Sequence, residues 1–268
     1  MKKKFKLGVI GAGFMSTALV NGAISSGVID SKAIIVSDVN EDALNKIARL
    51  GVNTTTDNVE LVNGAEFVLF AVKPQSIAVV LDTIKACECD KFISIMAGVK
   101  KARIKEVFSK AKVARCMPNT PCAISNGAVG LDVSDFTDEN DVTFIKKLFQ
   151  SLASVVLVNE QELNAVTGVS GSSPAYFYLF LKGIIEAGVK HGLKYEDAKL
   201  LATSTMIGAG KMVLANPDKS LDELINAVCS KGGTTIQAID TYNELDLTGI
   251  SEKAIDACVK RSKELENL

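Results

Sequence analysis

The chain has 268 residues, of which 47% are hydrophobic, and a formal net charge of −1 at pH 7. It therefore has enough apolar material for a large core, and it lacks the basic character that nucleic acid or an anionic membrane would select. No apolar run reaches the roughly 18 residues that span a bilayer, and the lysine-rich start leads into a glycine-interrupted strand pattern rather than a signal sequence. We predict a cytoplasmic protein without nucleic-acid or membrane partners.

Short apolar runs alternate with helical patterns through residues 1–163. The strand-like runs are Leu7–Ile10, Ala33–Ser37, Phe67–Val72, Phe92–Met96, Val113–Cys116, Ala128–Val133 and Val155–Val158. Helical patterns cover Glu41–Leu50, Lys101–Phe108 and Glu139–Leu152. This alternation is typical of an α/β domain with a mostly parallel sheet that helices cover on both faces.

The glycines of segment 6–16 form the most informative local pattern, because they end the first apolar run and open a helical pattern. Gly11 allows a sharp turn, Gly13 lets a pyrophosphate approach the backbone, and the small Ser16 lets the helix pack close to the sheet. The helix that begins near Phe14 directs free N–H groups at the phosphates. We interpret the segment as a dinucleotide cradle, with a plain glycine turn as the alternative.

The second apolar run ends in Ser37 and Asp38. An acid at this distance from the glycines can accept hydrogen bonds from a ribose, whereas it repels the 2′-phosphate of NADP. We therefore predict NAD(P)H as the cofactor, with a preference for NADH. The alternative is that Asp38 caps the helix Glu41–Leu50.

Three further loops follow predicted strands, at the edge where doubly wound sheets bind ligands. They contain Lys73 beside Pro74, the small residues of Ile95–Gly98, and Asn119 between two prolines. Proline stiffens such loops, which suits a ligand-binding wall. The alternatives are a solvated loop lysine for Lys73 and a turn cap for Asn119.

The strand pattern ends near residue 164, and helical patterns follow over Tyr176–Gly192, Tyr195–Ala215, Ser220–Cys229 and Ser251–Leu268. Pro174 suits a first helical turn and Gly192 an exit from a helix. Ser220 and Glu223 form a capping-box pattern, and Ser251 is expected to cap the last helix. We predict an all-helical domain over residues 164–268 whose small and apolar residues pack in a bundle and against a second subunit, as a homodimer.

A second glycine-rich turn, Cys229–Ile236, lies between two helical patterns. Its N–H groups and the hydroxyls of Ser230, Thr234 and Thr235 can hold a carboxylate without arginine. An ordinary interhelical turn with Thr234 or Thr235 as N-cap is the alternative.

The cysteines and the histidine offer no recognisable metal or nucleophilic site. Six cysteines are scattered without metal-ligand spacing, and His191 is the only histidine. We expect reduced, mostly packed thiols and no metal centre.

Five segments together resemble one enzyme family. They are Ile10–Met15, Ala71–Gln75, Met117–Pro121, Thr167–Tyr176 and Ser230–Thr235. In this combination and order, the chain resembles the pyrroline-5-carboxylate reductases over nearly its whole length. The resemblance implies NAD(P)H-dependent hydride transfer to the imine carbon of 1-pyrroline-5-carboxylate, which gives L-proline in the last step of its biosynthesis. It also implies a Rossmann-like domain, a helical dimerisation domain, and homodimers or rings of dimers.

The resemblance assigns residues to two sites. The cofactor set is Gly11, Gly13, Phe14, Met15, Ser16, Asn58, Ala71, Val72, Lys73, Pro74, Met96 and Ala97, to which the sequence adds Ser37, Asp38 and Asn119. The substrate set is Ser230, Thr234, Thr235, Glu160 and Thr167, partly across the subunit interface. We expect the Ser230–Thr235 turn to bind the carboxylate and the Thr235 hydroxyl, the one predicted catalytic group, to hydrogen-bond the ring nitrogen.

Two residues depart from the family pattern. Ser173 stands where glycine is usual, and Lys231 stands where proline is usual. Lys231 adds a positive charge beside the expected carboxylate site.

Two other functions remain open from the sequence. A reductase of the β-hydroxyacid or imine-reducing type would use Lys73 or another lysine as its acid–base group and would leave the Ser230–Thr235 turn without a task. A non-catalytic dinucleotide sensor would need no second site.

Overall fold

An eight-stranded sheet forms the first of two units in the computed structural model, which describes residues 3–266. The strands are β1 Phe5–Ile10, β2 Ile34–Ser37, β3 Asn53–Thr55, β4 Ala65–Phe70, β5 Lys91–Ser94, β6 Lys112–Pro118, β7 Gly127–Asp132 and β8 Ala153–Leu157. The seven predicted strands are confirmed, with ends shifted by no more than two residues. The short polar strand β3 was not predicted.

The strand order across the sheet is β3-β2-β1-β4-β5-β6-β7-β8. Strands β1 to β6 are parallel, β7 is antiparallel to β6, and β8 is parallel to β7. The mostly parallel sheet is thus confirmed, with one reversal. Because the strand order turns back between β1 and β4, the ligand crevice expected for such sheets lies at the carboxyl ends of these two strands.

The helices of this unit cover both faces of the sheet. They are α1 Phe14–Ser25, α2 Glu41–Ala48, α3 Asn58–Gly64, α4 Ile77–Ile84, α5 Lys101–Lys105, α6 Glu139–Gln150 and α7 Leu163–Val166. Along β4, Phe67 and Leu69 enter one apolar cluster with residues of α1, α2 and α6. Val68 and Phe70 enter a second cluster with residues of α3, α4 and α5. Since successive side chains of a strand point to opposite faces, the two clusters lie on opposite faces of the sheet.

The second unit, Ala175–Asp256, is helical. The remaining helices are α8 Ser173–Lys190, α9 Tyr195–Ala215, α10 Leu221–Val228, α11 Thr234–Glu244 and α12 Leu247–Leu265. The predicted capping box of Ser220 and Glu223 is present. The first unit comprises residues 3–174 and also 257–266, whereas the boundary after residue 163 stays a prediction about domains.

The start of α12 differs from the prediction. Ser251 does not cap this helix, because the helix begins at Leu247 and the Ser251 hydroxyl donates to the Leu247 carbonyl at 2.8 Å. Asp246 precedes the helix, and its carboxylate accepts the Gly249 N–H at 3.1 Å. The predicted helix end at residue 268 and the start of the lysine-rich segment at residues 1 and 2 lie outside the described residues.

Most large apolar side chains of the second unit are exposed. Among the apolar residues of Ala175–Asp256, all of which the structure describes, only Ile185 and Ala198 are buried. The exposed ones include Phe177, Tyr178, Leu179, Phe180, Ile184, Leu200, Leu201, Ile207, Met212, Val213 and Leu214. Exposed large apolar side chains in this number are typical of a protein interface. None of the helices within residues 3–266 combines the length and apolar character that a membrane span requires.

Candidate active site

The dinucleotide cradle forms where β1 ends. Gly11 has φ +107°, and a Cβ on it would lie 2.7 Å from the Ala71 carbonyl oxygen, so no larger residue fits. The Gly11 N–H donates to the Ser37 carbonyl at 2.7 Å, and the Ala71 N–H donates to the Ile10 carbonyl at 2.9 Å. The loops after β1, β2 and β4 therefore meet at the switch point of the sheet.

Helix α1 begins directly after this turn, with Gly13 as its N-cap. No side chain caps it, and no acid lies in the first turn of this fully described helix. A Cβ on Gly13 would meet no atom within 4 Å, so this glycine leaves open space beside the backbone. Ser16 is buried, as its packing role predicts. The first N–H groups and the positive dipole end are thus available to a pyrophosphate, and the residues fit a dinucleotide.

Asp38 closes the cradle from the end of β2. One carboxylate oxygen, Oδ2, accepts the Ala12 N–H at 2.7 Å, and the other, Oδ1, accepts the Asn40 N–H at 2.9 Å. The alternative in which Asp38 caps α2 is wrong, because Asn40 does so by accepting the Ala43 N–H at 3.2 Å. Asp38 therefore fixes the glycine turn and places a negative charge beside it.

The other predicted cofactor segments lie at the same edge of the sheet. The Ser37 hydroxyl donates to Asn58 Oδ1 at 2.6 Å, which joins the end of β2 to the start of α3. Lys73 is exposed before a 3₁₀ turn that begins with Pro74. After β5, the Met96 N–H donates to the Ser94 hydroxyl at 3.3 Å. The structure thus brings together loops that are far apart in sequence, as the prediction requires.

Asn119 is buried, and its amide is engaged within the protein. Its Nδ2 donates to the Ser170 carbonyl at 3.1 Å, and its Oδ1 accepts the Ala128 N–H at 3.0 Å. The side chain therefore connects the end of β6 with β7 and with the π-helical turn Thr167–Gly171. Its place in a cofactor wall stays a prediction.

The Ser230–Thr235 turn in the second unit leads into α11. Gly232 has φ +73°, and the Gly233 N–H donates to the Ser230 carbonyl at 2.9 Å. Gly233 is the N-cap and Thr234 and Thr235 are the first helical residues, so the alternative in which a threonine is the N-cap is wrong. Neither a capping side chain nor a first-turn acid competes for the N–H groups of this fully described helix. The turn therefore presents free amides and hydroxyls, with the exposed Lys231 beside them.

The other two predicted substrate residues lie in the first unit and are hydrogen-bonded there. Glu160 Oε1 accepts the Lys101 N–H at 2.7 Å and lies 3.3 Å from Arg115 Nη1. The Thr167 hydroxyl donates to the Leu163 carbonyl at 2.8 Å. Their contact with substrate stays a prediction.

Sequence reasoning missed a buried ion pair at Lys101, the residue whose N–H Glu160 accepts. Lys101 Nζ lies 2.7 Å from Asp132 Oδ2, and both side chains are almost fully buried. Burial alone would lower the pKa of Lys101, but the hydrogen bond to Asp132 and the charges of Asp132 and Asp135 raise it. The contact ties α5 to β7, and no local sequence pattern marks it.

Two of the cysteines, Cys116 and Cys122, are buried in the first unit. All six cysteines are free, and burial raises the pKa of the Cys116 thiol well above its usual value. Within residues 3–266, no group of three or more His, Cys, Asp or Glu side chains is placed to hold a metal ion.

Two family models match the chain. Residues 160–265 match the model described as pyrroline-5-carboxylate reductase dimerisation, and residues 6–98 match the model described as NADP oxidoreductase, coenzyme F420-dependent. The matched ranges agree with the predicted order of a dinucleotide-binding region followed by a dimerisation region.

Curated relatives extend this similarity over the whole chain. The pyrroline-5-carboxylate reductase of Haemophilus influenzae is 39% identical over 263 residues, which are 97% of each chain. That of Vibrio alginolyticus is 34% identical and covers 98% of each chain.

Solved structures show the same relationship. A pyrroline-5-carboxylate reductase from Coxiella burnetii has a TM-score of 0.91 at 33% identity and covers 98% of this chain and 99% of its own. The Plasmodium falciparum pyrroline carboxylate reductase, solved with NADP bound, has a TM-score of 0.86 at 27% identity and covers 99% and 100%. These findings confirm the resemblance seen in the five sequence segments, and the chain belongs to the pyrroline-5-carboxylate reductase family.

Proposed function

We propose that this chain reduces 1-pyrroline-5-carboxylate to L-proline with NAD(P)H, the reaction for which its family is named. The observation that carries the proposal is the cradle at the ends of β1 and β4. There Gly11 with its positive φ, the open Gly13 and the uncapped start of α1 leave a surface that suits a dinucleotide.

The cofactor pyrophosphate binds at the first N–H groups of α1 in this proposal. The loops after β4 and β5, with Ala71 to Pro74 and Met96 to Ala97, line the nicotinamide half. When bound, the cofactor supplies the hydride that reduces the imine carbon.

We propose a preference for NADH on the basis of Asp38. Both oxygens of its carboxylate are held by backbone N–H groups, so the negative charge stays beside the cradle and opposes a 2′-phosphate. Val39, which is 94% exposed, and Asn40 offer no guanidinium for such a phosphate. A comparison of kcat/KM for NADH and NADPH tests this, and a large preference for NADPH would contradict it.

The substrate is a small cyclic imine with a carboxylate. The amides and hydroxyls of the Ser230–Thr235 turn bind that carboxylate, and the Thr235 hydroxyl hydrogen-bonds the ring nitrogen. Because a protonated imine is already electrophilic, the residues need only place the ring and balance its charge. Glu160 and Thr167 are included in this site on the resemblance alone.

We propose a homodimer as the smallest active assembly, from which a ring of dimers can be built. The exposed apolar helices of Ala175–Asp256 support this, because one chain leaves them uncovered, and the match to a dimerisation model covers the same residues.

The decisive assay follows the loss of reduced-nicotinamide absorbance with 1-pyrroline-5-carboxylate. Turnover that depends on this substrate supports the proposal. Turnover with hydroxyacids alone would favour the β-hydroxyacid type of reductase, and cofactor binding without any turnover would favour a dinucleotide sensor.

A further inference from the structure

The end of α12 lies against the loop that follows β5. A Cβ on Gly98, which has φ +73°, would come within 3.0 Å of the Leu265 Cβ and within 3.3 Å of its carbonyl group. Gly98 thus permits a close approach that a side chain would block. The loop, residues 96–100, contains Met96 and Ala97, two of the residues proposed to line the nicotinamide half of the cofactor site.

An ion-pair network joins the same two segments. Glu266 Oε1 accepts a hydrogen bond from Arg115 Nη1 at 2.9 Å, and Glu266 Oε2 lies 3.4 Å from Lys100 Nζ. Arg115 also contacts Glu160, whose carboxylate holds the Lys101 N–H. Through its two carboxylate partners, Arg115 is therefore connected to Lys100 at the end of the loop and to Lys101 at the start of α5.

The central pair of this network is shielded from water. The side chains of Arg115 and Glu266 are only 5% and 7% exposed. A buried charge that loses its partner is left uncompensated, so such a pair favours one arrangement of the segments that carry it. A second buried contact, from the Ser262 hydroxyl to Asn164 Oδ1 at 2.6 Å, holds the preceding turn of α12 against α7.

We infer that Glu266 and Arg115 are positioning residues for the reduction, which hold the loop 96–100 in place and thereby shape the nicotinamide side of the cofactor site. They act through the loop and not on the substrate. The inference rests on the proposed function, in which Met96 and Ala97 line that site.

The test compares Glu266→Gln with the matched control Glu264→Gln. Both changes remove one negative charge near the end of α12, but Glu264 pairs with Arg261 on the surface, where its side chain is 46% exposed. We expect Glu266→Gln to raise the KM for NADH about tenfold, with kcat and the KM for pyrroline-5-carboxylate changed less than about twofold. Amide hydrogen exchange at residues 96–101 should become faster in this variant and stay unchanged in Glu264→Gln.

A second variant covers the case in which Glu266→Gln does not fold. Lys100→Met removes the contact with Glu266 from its exposed side and leaves Arg115 paired. It should raise the KM for NADH about twofold and accelerate exchange in the same loop.

The outcomes separate this inference from the proposed function. Equal effects of Glu264→Gln and Glu266→Gln, or an unchanged KM for NADH despite a loosened loop, would overturn the inference. Neither result would change the turnover of the wild-type protein with pyrroline-5-carboxylate. Absence of that turnover would count against the proposed function. It would not count against the loop contact, because the exchange measurement tests this contact without substrate.

Discussion

The first unit buries its apolar side chains on both faces of one sheet, whereas the second leaves most of its large apolar side chains exposed. Phe67 and Phe92 are fully buried in the first unit, while Leu179 and Leu214 in the second are 72% and 80% exposed. The first unit is therefore complete within one chain, and the second needs another surface to cover it. Cofactor binding and assembly can therefore be disturbed separately.

Both units also contain a glycine turn that opens a helix, and the two turns differ in charge. At α1, the carboxylate of Asp38 is bonded to the turn. At α11, no acid lies in the first turn of this fully described helix, and the turn before it contains Lys231. A ribose donates hydrogen bonds to an acid, whereas a substrate carboxylate needs donors, so the charge difference matches the proposed division of ligands.

The largest effect is expected from Leu179→Asp, which places a charge on the exposed apolar surface of α8. Burying an unpaired carboxylate in an interface is strongly unfavourable, so we expect the mass measured by light scattering to fall from two or more chains to one. Activity should fall by at least about 100-fold, while the dissociation constant for NADH stays within about twofold because the first unit is complete.

Lys182→Ala on the same helix is the control, because this lysine pairs with Glu186 at the surface. It should leave mass and activity unchanged. A wild-type chain that is a monomer at micromolar concentration would contradict the claim that another subunit covers the second unit.

The next effect is expected from Thr235→Ala in the turn of the second unit. Loss of one hydroxyl that stabilises the reacting nitrogen should lower kcat about 100-fold and leave the KM for NADH unchanged. Thr241→Ala serves as the control, since its hydroxyl donates to the Gln237 carbonyl on the same helix. Unchanged kinetics in Thr235→Ala would remove this residue from the mechanism.

A third test addresses the cradle of the first unit. Gly11→Ala forces a Cβ against the Ala71 carbonyl, so we expect the affinity for NADH to fall at least about tenfold. Gly27→Ala is the matched control, because Gly27 also has a positive φ, +70°, but a Cβ there meets no atom within 4 Å. Gly27→Ala should lower the melting temperature and leave the affinity for NADH unchanged. Equal affinities in the two variants would show that the cradle does not bind the cofactor.

The smallest effect is expected in the pH dependence of the stability that the Glu266 contact provides. Burial opposes ionisation of this carboxyl, but hydrogen bonds from Arg115 and Asn164 and the charges of Arg115 and Lys100 outweigh it and lower its pKa below 4.5. A lowered folded-state pKa gives stability that is fully present above the unfolded pKa and is lost as the pH falls through the folded one. The difference in melting temperature between wild type and Glu266→Gln should therefore be constant near pH 7 and shrink below about pH 4.5. A melting-temperature difference that grows as the pH falls would contradict a lowered pKa of Glu266.

Local patterns predicted most of the fold. Helix α9 was predicted with its observed bounds, since its periodicity starts after Lys194 and stops before a proline. Strand β3 was not predicted, because Asn53–Thr55 is short and polar and pairs through its backbone with β2. The start of α12 after Asp246 was not predicted, because the φ of +54° at Asp246 is unusual for a residue other than glycine.

The cradle was also predictable, because all of its glycines lie within a few residues. The Arg115–Glu266 contact was not, because 151 residues separate the partners and the chain has 30 basic and 31 acidic residues to pair. Ion pairs set by tertiary structure carry no spacing pattern of their own, so only the fold reveals which charges meet.

The most direct test of the whole account is a structure of the assembled protein with NAD(P)⁺ and L-proline. The account predicts that the pyrophosphate lies on the start of α1, that the proline carboxylate lies on the Ser230–Thr235 turn, and that the nicotinamide C4 is about 3–3.5 Å from the ring carbon. Ligands bound in two separate cavities would contradict it.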